Sequence, residues 1–549
     1  MPLRLIYGKT VNNIFEPFTK KSYSPSCQLN LMRFSSVHCS RGRRWKSIVI
    51  QFSIIVLILN FTWWSMLNLL QDDGGKLVLK VTIIDPYLEL ASEVREATLD
   101  SWNAYKEHAW GLDELRPISQ TGRIWMGTAL TMVDSLDTLW IMNLRHEFAK
   151  ARQWITEKLK FDLNDDHINV FEITIRVLGG LLSAYSLSEE RVFLEKAETL
   201  GSKLQATFDS QSVLPNVNIN LALQVSGPAP WTNDQSLAEV SSLQLELNQL
   251  TAVTGNITYA LKGGKILKHL HTVKKHRGLL NTEFSTKTGE PREYSRITMG
   301  ARGDSYYEYL LKVWIQNGKT ADFLKQDYIA AVDGIKELLV GYSQPSGFLF
   351  VGELNGSKKR IPSMEHLVCF LPGTLAYGVY HGMPADHLQI AEGLMRTCYE
   401  MYRQMPKHLS PERVIFSEAP DSKLDIQTTP GSRSNVLRPE TMESLFYMYR
   451  ITRNSTYRDW GKSIFQAFQQ HAHLPSGGYA SVQDVTSTES KNNDEMNSFW
   501  IAETLKYAYL LFNETAASLF PFDRWVFNTE AHPLPIHTTP NRLIQKAYQ

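Results

Sequence analysis

The chain has 549 residues, 43% hydrophobic, 21% charged and 11% aromatic, with 57 Lys and Arg against 56 Asp and Glu and a formal net charge of +1. This is an ordinary globular balance, long enough for one large domain or several smaller ones. Without a basic excess it argues against a nucleic-acid binder.

The charge is uneven in one place. Residues 1–46 carry Lys or Arg at 4, 9, 20, 21, 33, 41, 43, 44 and 46 against the single acid Glu16. Residues 47–70, SIVIQFSIIVLILNFTWWSMLNLL, then form an uncharged run of the length that a helix needs to cross a bilayer. Arg41, Arg43, Arg44 and Lys46 precede it, and Asp72 and Asp73 follow. The positive-inside rule therefore keeps the basic tail cytoplasmic and sends the rest into the lumen as a type II membrane-anchored protein. A cleaved signal peptide competes, but the run starts late, is long for such a segment and lacks a small-x-small cleavage site. Residues 71–90 read as a lumenal stem and 91–540 as the domain beyond it.

On this topology Cys27 and Cys39 face the reducing cytoplasm, which leaves Cys369 and Cys398 as the lumenal pair and a natural disulfide. Asn256, Asn355, Asn454 and Asn513 head glycosylation acceptor triplets, all downstream of the anchor.

From residue 88 onward the apolar spacing predicts helices over 88–108, 129–143, 148–159, 168–187, 191–208, 237–254, 258–274, 305–316, 323–339, 373–381, 385–405, 439–452, 457–471 and 496–512. Strand-like runs are few and short. So many helices joined by loops rich in polar and aromatic residues argue for an α-solenoid or a closed α/α toroid rather than a bundle. No strict repeat decides between the two.

Several of these helices carry acids where acids need a reason. Glu172 and Arg176 stand one turn apart inside the apolar run INVFEITIRVLGGLLSAY. Burial raises a carboxyl pKa and a neighbouring Arg lowers it, and a group so balanced can act as a general acid near neutral pH. A structural Glu–Arg pair across a helix–helix interface explains the same residues. In MGARGDSYYEYL, Asp304 reads as a helix N-cap, with Arg302 before it and Glu308 a turn beyond. The Arg-Gly-Asp tripeptide runs straight into a Tyr-rich helix, a poor setting for an adhesion loop. In NVLRPETMESLFYMYR, Glu440 and Glu443 share a face behind Arg438 and Pro439. Solvated first-turn acids explain them, and so does a pocket for a polar ring. Phe499, Trp500 and Glu503 cluster near a helix start, a pairing of aromatic faces with carboxylates that suits a sugar. In WVFNTEAHPLP, Thr529, Glu530 and His532 fall together, and hard oxygen donors of this kind suit calcium better than zinc. His366, in MEHLVCF, reads as structural. The chain has no His-Glu-x-x-His, Cys-x-x-Cys pair, phosphate loop, dinucleotide fingerprint or Gly-x-Ser-x-Gly elbow.

Together VFEITIRVLGGLLSAY, GARGDSYYEYLLK, MEHLVCFLPGTLA, LRPETMESLFYMYR, SFWIAETLKYAYLLF and VFNTEAHPLP closely resemble the class I α-1,2-mannosidases, glycoside hydrolase family 47, from about Glu93 to Ile536. The resemblance implies an all-α fold, an (α/α)7 barrel with a C-terminal β-hairpin entering one end. It also implies calcium-dependent, inverting removal of α-1,2-linked mannose from high-mannose Asn-linked glycans. Carried over by motif, Glu172 would be the acid, acting through a water, and Glu440 the base. Asp304 is the other carboxylate with a claim to one of these roles. Thr529 would bind Ca2+ directly, with Glu443, Glu503, Glu530 and Glu239 holding its water shell or nearby sugar hydroxyls. Phe499 would stack on the terminal mannose, Arg176, His366 and Arg438 would line the site, and Cys369 and Cys398 match the family disulfide. Inversion needs two carboxyls far enough apart to admit a water.

Arg302 in GARGD is similar to endoplasmic-reticulum-type members, whereas Golgi-type members look like GGLGD. That implies removal of a single middle-branch mannose and residence in the endoplasmic reticulum membrane, with the early Golgi as the alternative. Asn497 departs from the pattern, since close relatives of this type tend to carry Glu there. Within the family the rivals are a Golgi-type multi-mannose trimming enzyme and an ER-degradation factor. Outside it the rival is a membrane-anchored lectin that does not cut.

Overall fold

The computed structural model describes residues 67–71, 77–81 and 85–549, apart from 164, 166, 167, 231 and 538–540. The basic tail and nearly all of the expected membrane span lie outside the described residues. The last four residues of that span, 67–70, are not helical. Leu67–Gln71 pairs antiparallel with Leu77–Val81, with Leu67 opposite Val81 and Gln71 opposite Leu77. The first arm, LNLLQ, carries Leu and the second, LVLKV, carries Leu and Val, apolar residues that suit paired strands. This hairpin belongs to the unit Met1–Asp85, and a second, compact unit spans Pro86–Gln549.

The second unit is built on helices α1 (Leu88–His108), α2 (Leu130–Asp134), α3 (Leu136–Ile141), α4 (Arg145–Lys158) and α5 (Val170–Ser188). Then come α6 (Arg191–Leu204), α7 (Leu237–Ser241), α8 (Gln244–Thr254), α9 (Ile257–Thr272), α10 (Asp304–Gln316) and α11 (Asp322–Gly334). The series ends with α12 (Leu371–Tyr380), α13 (His387–Arg403), α14 (Glu440–Thr452), α15 (Thr456–His471), α16 (Leu505–Phe512) and α17 (Arg542–Tyr548). Every helix expected from the apolar spacing is present. α17 packs on α9 beyond the expected boundary at 540, and its Tyr548 hydroxyl donates to Asn248 Oδ1 at 3.2 Å.

The helices fall into two sets. α3, α5, α8, α10, α12, α14 and α16 each touch the next, and the segment Trp500–Thr504 leading into α16 returns to α3. α4, α6, α9, α11, α13 and α15 each cover the member of that circuit that precedes them, and α1 covers α16. Sequence separates the sets. Residues 305–316 of α10 and all of α16 are buried, and both helices are apolar around most of their circumference, with the few charged side chains paired inside, as Lys312 is with Glu308 and Lys506 with Asp137. α13 and α15 bury one face and show charge on the other. α5 is long and apolar enough to cross a membrane, but it is mostly buried within the protein, so it is a core helix.

Strands are more numerous than the sequence suggests because most have two or three residues, too few to show alternation. Asp234–Ser236 pairs with Glu283–Ser285, and Ser363–Glu365 with Arg413–Phe416. Near the C-terminus Trp525–Phe527 pairs with Pro533–Pro535. The loop of this hairpin reaches α5 where Gly179 and Gly180 leave room for it. A Cβ on Gly179 would lie 2.8 Å from Asn528 Nδ2, and one on Gly180 would lie 2.7 Å from the Val133 carbonyl. Asn528 Nδ2 donates to the Ile175 carbonyl at 2.9 Å and to Glu246 Oε1 at 2.7 Å, while Asn528 Oδ1 accepts from the amides of Glu530 and His532.

Candidate active site

One cavity of about 490 Å³ gathers residues spread over more than three hundred positions of chain. Its walls include Glu172, Arg176, Glu239, Arg302, Asp304, Glu308, Arg438, Glu440, Glu443, Phe499, Glu503, Thr529 and Glu530. Every residue to which the family resemblance gives a chemical role lines it except His366.

On one wall Glu172 stands in the first turn of α5, its amide bonded to Asn169 Oδ1 at 2.9 Å. Arg176 Nε donates to Glu172 Oε2 at 2.6 Å, so the expected pair one turn apart exists. It does not bridge two helices as a closed structural pair would. The same guanidinium donates to Glu530 Oε1 at 2.6 Å and Ser498 Oγ at 3.0 Å, and it stands 5.6 Å from the Phe499 ring centre. Between Ile173 and Leu178 the helix widens to a π-turn, and Trp500–Thr504 is another, directly after Phe499. Such turns rotate side chains off the ordinary helical face and collect at functional sites. Asn169 Nδ2 also holds Glu239 at 2.7 Å, and burial raises the Glu239 pKa.

The opposite wall corrects three readings. Asp304 is the first residue of α10 and not its cap; Gly303 takes the cap position and Asp304 Oδ1 accepts the Ser305 amide at 2.9 Å. Burial, reinforced by Glu365, Glu308 and Glu440, pushes Asp304 up to about 8. Glu440 is mostly buried, not a solvated first-turn acid. Burial works against its charge, but a 2.6 Å bond from His366 Nδ1 and the Arg438 charge at 3.9 Å hold its pKa below the usual range. His366 does not line the cavity. It is 1% exposed and stands behind Glu440, with Leu367 and Phe370 taking the lining positions. Arg438 is fixed by Glu412 at 2.5 Å. Arg302 sits at a left-handed φ of +75°, 3.4 Å from Glu283, with 43% of its side chain open to solvent. The amide before it, Ala301 N, donates to Glu365 Oε2 at 2.6 Å.

Thr529 and Glu530, at the turn of the C-terminal hairpin, complete the cavity. Around them the acids outnumber the cations. Burial lifts Glu443 to about 8 against the pull of Lys312 at 3.6 Å, and burial together with Glu530, Glu440 and Glu443 lifts Glu503 well above the carboxylate range. Glu530 is raised likewise by burial, against the pull of Arg176. Buried acids short of counter-charge, with a hydroxyl among them, are the donor set of a hard divalent cation. Among the described residues no three His, Cys, Asp or Glu side chains converge tightly enough to ligate one ion directly.

The sequence reading assigns no role to Glu308 or Lys312, yet Glu308 lines the cavity and Lys312 pairs with it from the next turn. Their signal is visible, since a charged pair at i and i+4 within an apolar helix is also how Glu172 and Arg176 show themselves. His532 does not face the cavity; it is buried below, bonded to Asp137 Oδ2 at 2.8 Å and Asp134 Oδ1 at 3.1 Å. Asn497 is half-buried, and its carbonyl accepts the Trp500 amide at 3.1 Å. Cys369 and Cys398 form a disulfide with Cα atoms 5.8 Å apart. Asn256 and Asn454 are exposed, and Asn355 and Asn513 half-buried.

Residues 97–536 match the profile of glycosyl hydrolase family 47. The chain belongs to that family. It is 47% identical over 448 residues to the human endoplasmic reticulum mannosyl-oligosaccharide 1,2-alpha-mannosidase, covering 81% of this chain and 64% of that protein's length. It is 36% identical over 457 residues to the mannosyl-oligosaccharide 1,2-alpha-mannosidase IA of Sus scrofa, covering 82% of this chain and 68% of that one. The solved structure of an alpha-1,2-mannosidase from Trichoderma reesei superposes with a TM-score of 0.75 at 28% identity, covering 81% of this chain and 99% of that structure. The family 47 chain thus spans just under two thirds of the human relative it matches.

Proposed function

We propose that this family 47 protein removes terminal α-1,2-linked mannose from high-mannose Asn-linked glycans, with inversion, and takes preferentially a single middle-branch mannose from a nine-mannose glycan. The observation that carries the reading is one cavity holding Glu172, Asp304 and Glu440 in three different electrostatic settings, beside an aromatic face and an Arg. On this reading the circuit of seven helices and its outer cover is an (α/α)7 barrel, and the C-terminal hairpin enters one end.

Glu440, kept ionised by His366 and Arg438, removes a proton from the attacking water. Glu172 delivers a proton to the leaving oxygen through a water, and Asp304, held protonated near neutral pH by burial, is the competing donor. Phe499 stacks on the terminal ring, and Arg176 holds Glu172 and Glu530 in place around it. Thr529 would hold a calcium ion, with Glu443, Glu503 and Glu530 arranging the surrounding water and sugar hydroxyls. When bound, the ion supplies a Lewis acid that can grip ring hydroxyls and favour a distorted sugar. Arg302 faces the cavity with its charge partly free and would bind a glycan branch through several hydrogen bonds, which supports the single-mannose preference. We place the protein in the endoplasmic reticulum membrane as a type II protein with this unit in the lumen, in keeping with the names of its relatives.

Digestion of a defined nine-mannose glycan by the purified protein, with and without calcium and followed by isomer analysis, tests all of this. One dominant eight-mannose isomer is expected. Complete trimming would favour the Golgi-type reading, and binding without release of mannose would favour the lectin.

A further inference from the structure

Glu440 Oε2 accepts from His366 Nδ1 at 2.6 Å, and the other ring nitrogen, Nε2, lies 2.7 Å from the Tyr402 hydroxyl and 3.1 Å from Thr441 Oγ1. His366 and Tyr402 are each 1% exposed. An imidazole carries its single proton on either nitrogen, and the partner of one nitrogen decides the state of the other. A hydroxyl donating to Nε2 leaves the proton on Nδ1, where it meets the carboxylate.

The placement is more rigid than satisfying a buried hydroxyl requires. Tyr402 stands four residues after Cys398 on α13, and His366 three residues before Cys369, so the Cys369–Cys398 disulfide and the His366–Tyr402 bond tie together the same two segments. An edge-to-face ring contact continues the link, with the His366 and Tyr402 centres 5.6 Å apart and the rings inclined at 67°. Around the carboxyl itself stand Arg438 at 3.9 Å on its own segment, Asp304 on α10, and Glu443 and Glu503 from α14 and the π-turn. Among these, His366 makes the direct bond.

We propose that Tyr402 is a positioning residue for the general base Glu440. Its hydroxyl selects the imidazole tautomer that donates to the carboxylate, and Thr441 is the reserve donor. This rests on the mannosidase reading above. The ordinary alternative is that Tyr402 only fills and satisfies the core, in which case its removal changes stability but not catalysis.

The test compares wild type, Tyr402→Phe, Thr441→Val and the double variant by glycan digestion over a range of pH, by thermal melting, and by the ring 15N shifts of His366. Tyr402→Phe should lower kcat about tenfold with KM within twofold, and the double variant about a hundredfold. The acidic limb of the kcat/KM profile should move to higher pH in both, and Thr441→Val alone should lower kcat less than Tyr402→Phe does. In wild type Nδ1 should give the protonated signature and Nε2 the unprotonated one, with this preference lost in the double variant. Folded variants with unchanged kcat and unchanged acidic limb overturn the proposal while leaving the mannosidase reading intact, as does protonated Nε2 with unprotonated Nδ1 in wild type. A wild-type protein that releases no mannose overturns both.

Discussion

Two groups of buried carboxylates lie on either side of the same hairpin turn and behave in opposite ways. Below the turn, Asp137 bonds Lys506 Nζ and His532 Nδ1, both at 2.8 Å, and Ser183 at 2.9 Å. Burial opposes its charge, yet Lys506 and His532 outweigh that and hold it at about 2. Above the turn, Glu443, Glu503 and Glu530 are also buried but share Arg176 and Lys312 among too many acids, and all three are pushed upward. Only Ala531 separates Glu530 from His532. Burial alone therefore does not mark a site; a deficit of counter-charge does, since a matched group has nothing left to offer a ligand.

The comparison breaks most visibly in turnover. Glu440→Gln and Glu172→Gln should each lower kcat by about a thousandfold or more while glycan binding, measured by calorimetry, survives. Near-normal turnover in Glu440→Gln would move the base to Asp304. Next in size is stability. Asp137→Asn removes one partner of a matched buried group and should cost about 3–5 kcal/mol in denaturant unfolding. Glu503→Gln, in metal-free protein, removes an unmatched charge and should leave stability unchanged or raise it. A loss in Glu503→Gln as large as in Asp137→Asn would end the distinction.

The pH dependence sharpens the contrast. Asp137 titrates at about 2 in the fold against 3.8 ordinarily, so its stabilisation is complete above the ordinary value and is lost as pH falls through the lower one. Glu443 moves the other way, from 4.5 to about 8, and binds more protons folded than unfolded, so metal-free protein should lose stability as pH rises from about 5 to 8. His532, raised above its ordinary 6.5 because Asp137 and Asp134 overcome its burial, adds to that loss at the upper end. Melting curves at several pH values check this, and calcium should restore stability most at the higher pH, where the acids are ionised. The smallest effect concerns selectivity. Arg302→Leu should raise by a few-fold the share of glycan trimmed beyond eight mannoses, read by isomer analysis.

What the sequence made legible was local. Helices such as α10 and α14 showed their spacing, and Glu172 with Arg176 showed a charge pair where an apolar helix has no use for one. The partners that decide chemistry were hidden by distance. His366 read as structural because Glu440 lies 74 residues away, and His532 read only as a neighbour of Thr529 and Glu530 because Asp137 lies 395 residues away. The N-cap reading of Asp304 and the solvated reading of Glu440 failed for the same reason: each residue has a sufficient local explanation, and only packing from other segments removes the water. The π-turns beside Glu172 and Phe499 leave no mark in composition, since one extra residue per turn hardly disturbs an apolar pattern.

The contact between α1 and α16 joins nearly opposite ends of the folded unit. During synthesis the ribosome therefore releases most of the inner helices before their circuit can close, with apolar sides waiting for partners still to be made. Thr529 and Glu530 emerge later still, after α16. A chain cut short before the hairpin would expose long-lived sticky surface and would lack the floor of its own cavity. Closure of the core and assembly of the site thus both wait on the late-made stretch from α16 to the hairpin, so a copy cut before it has neither the shape nor the chemistry of the finished one.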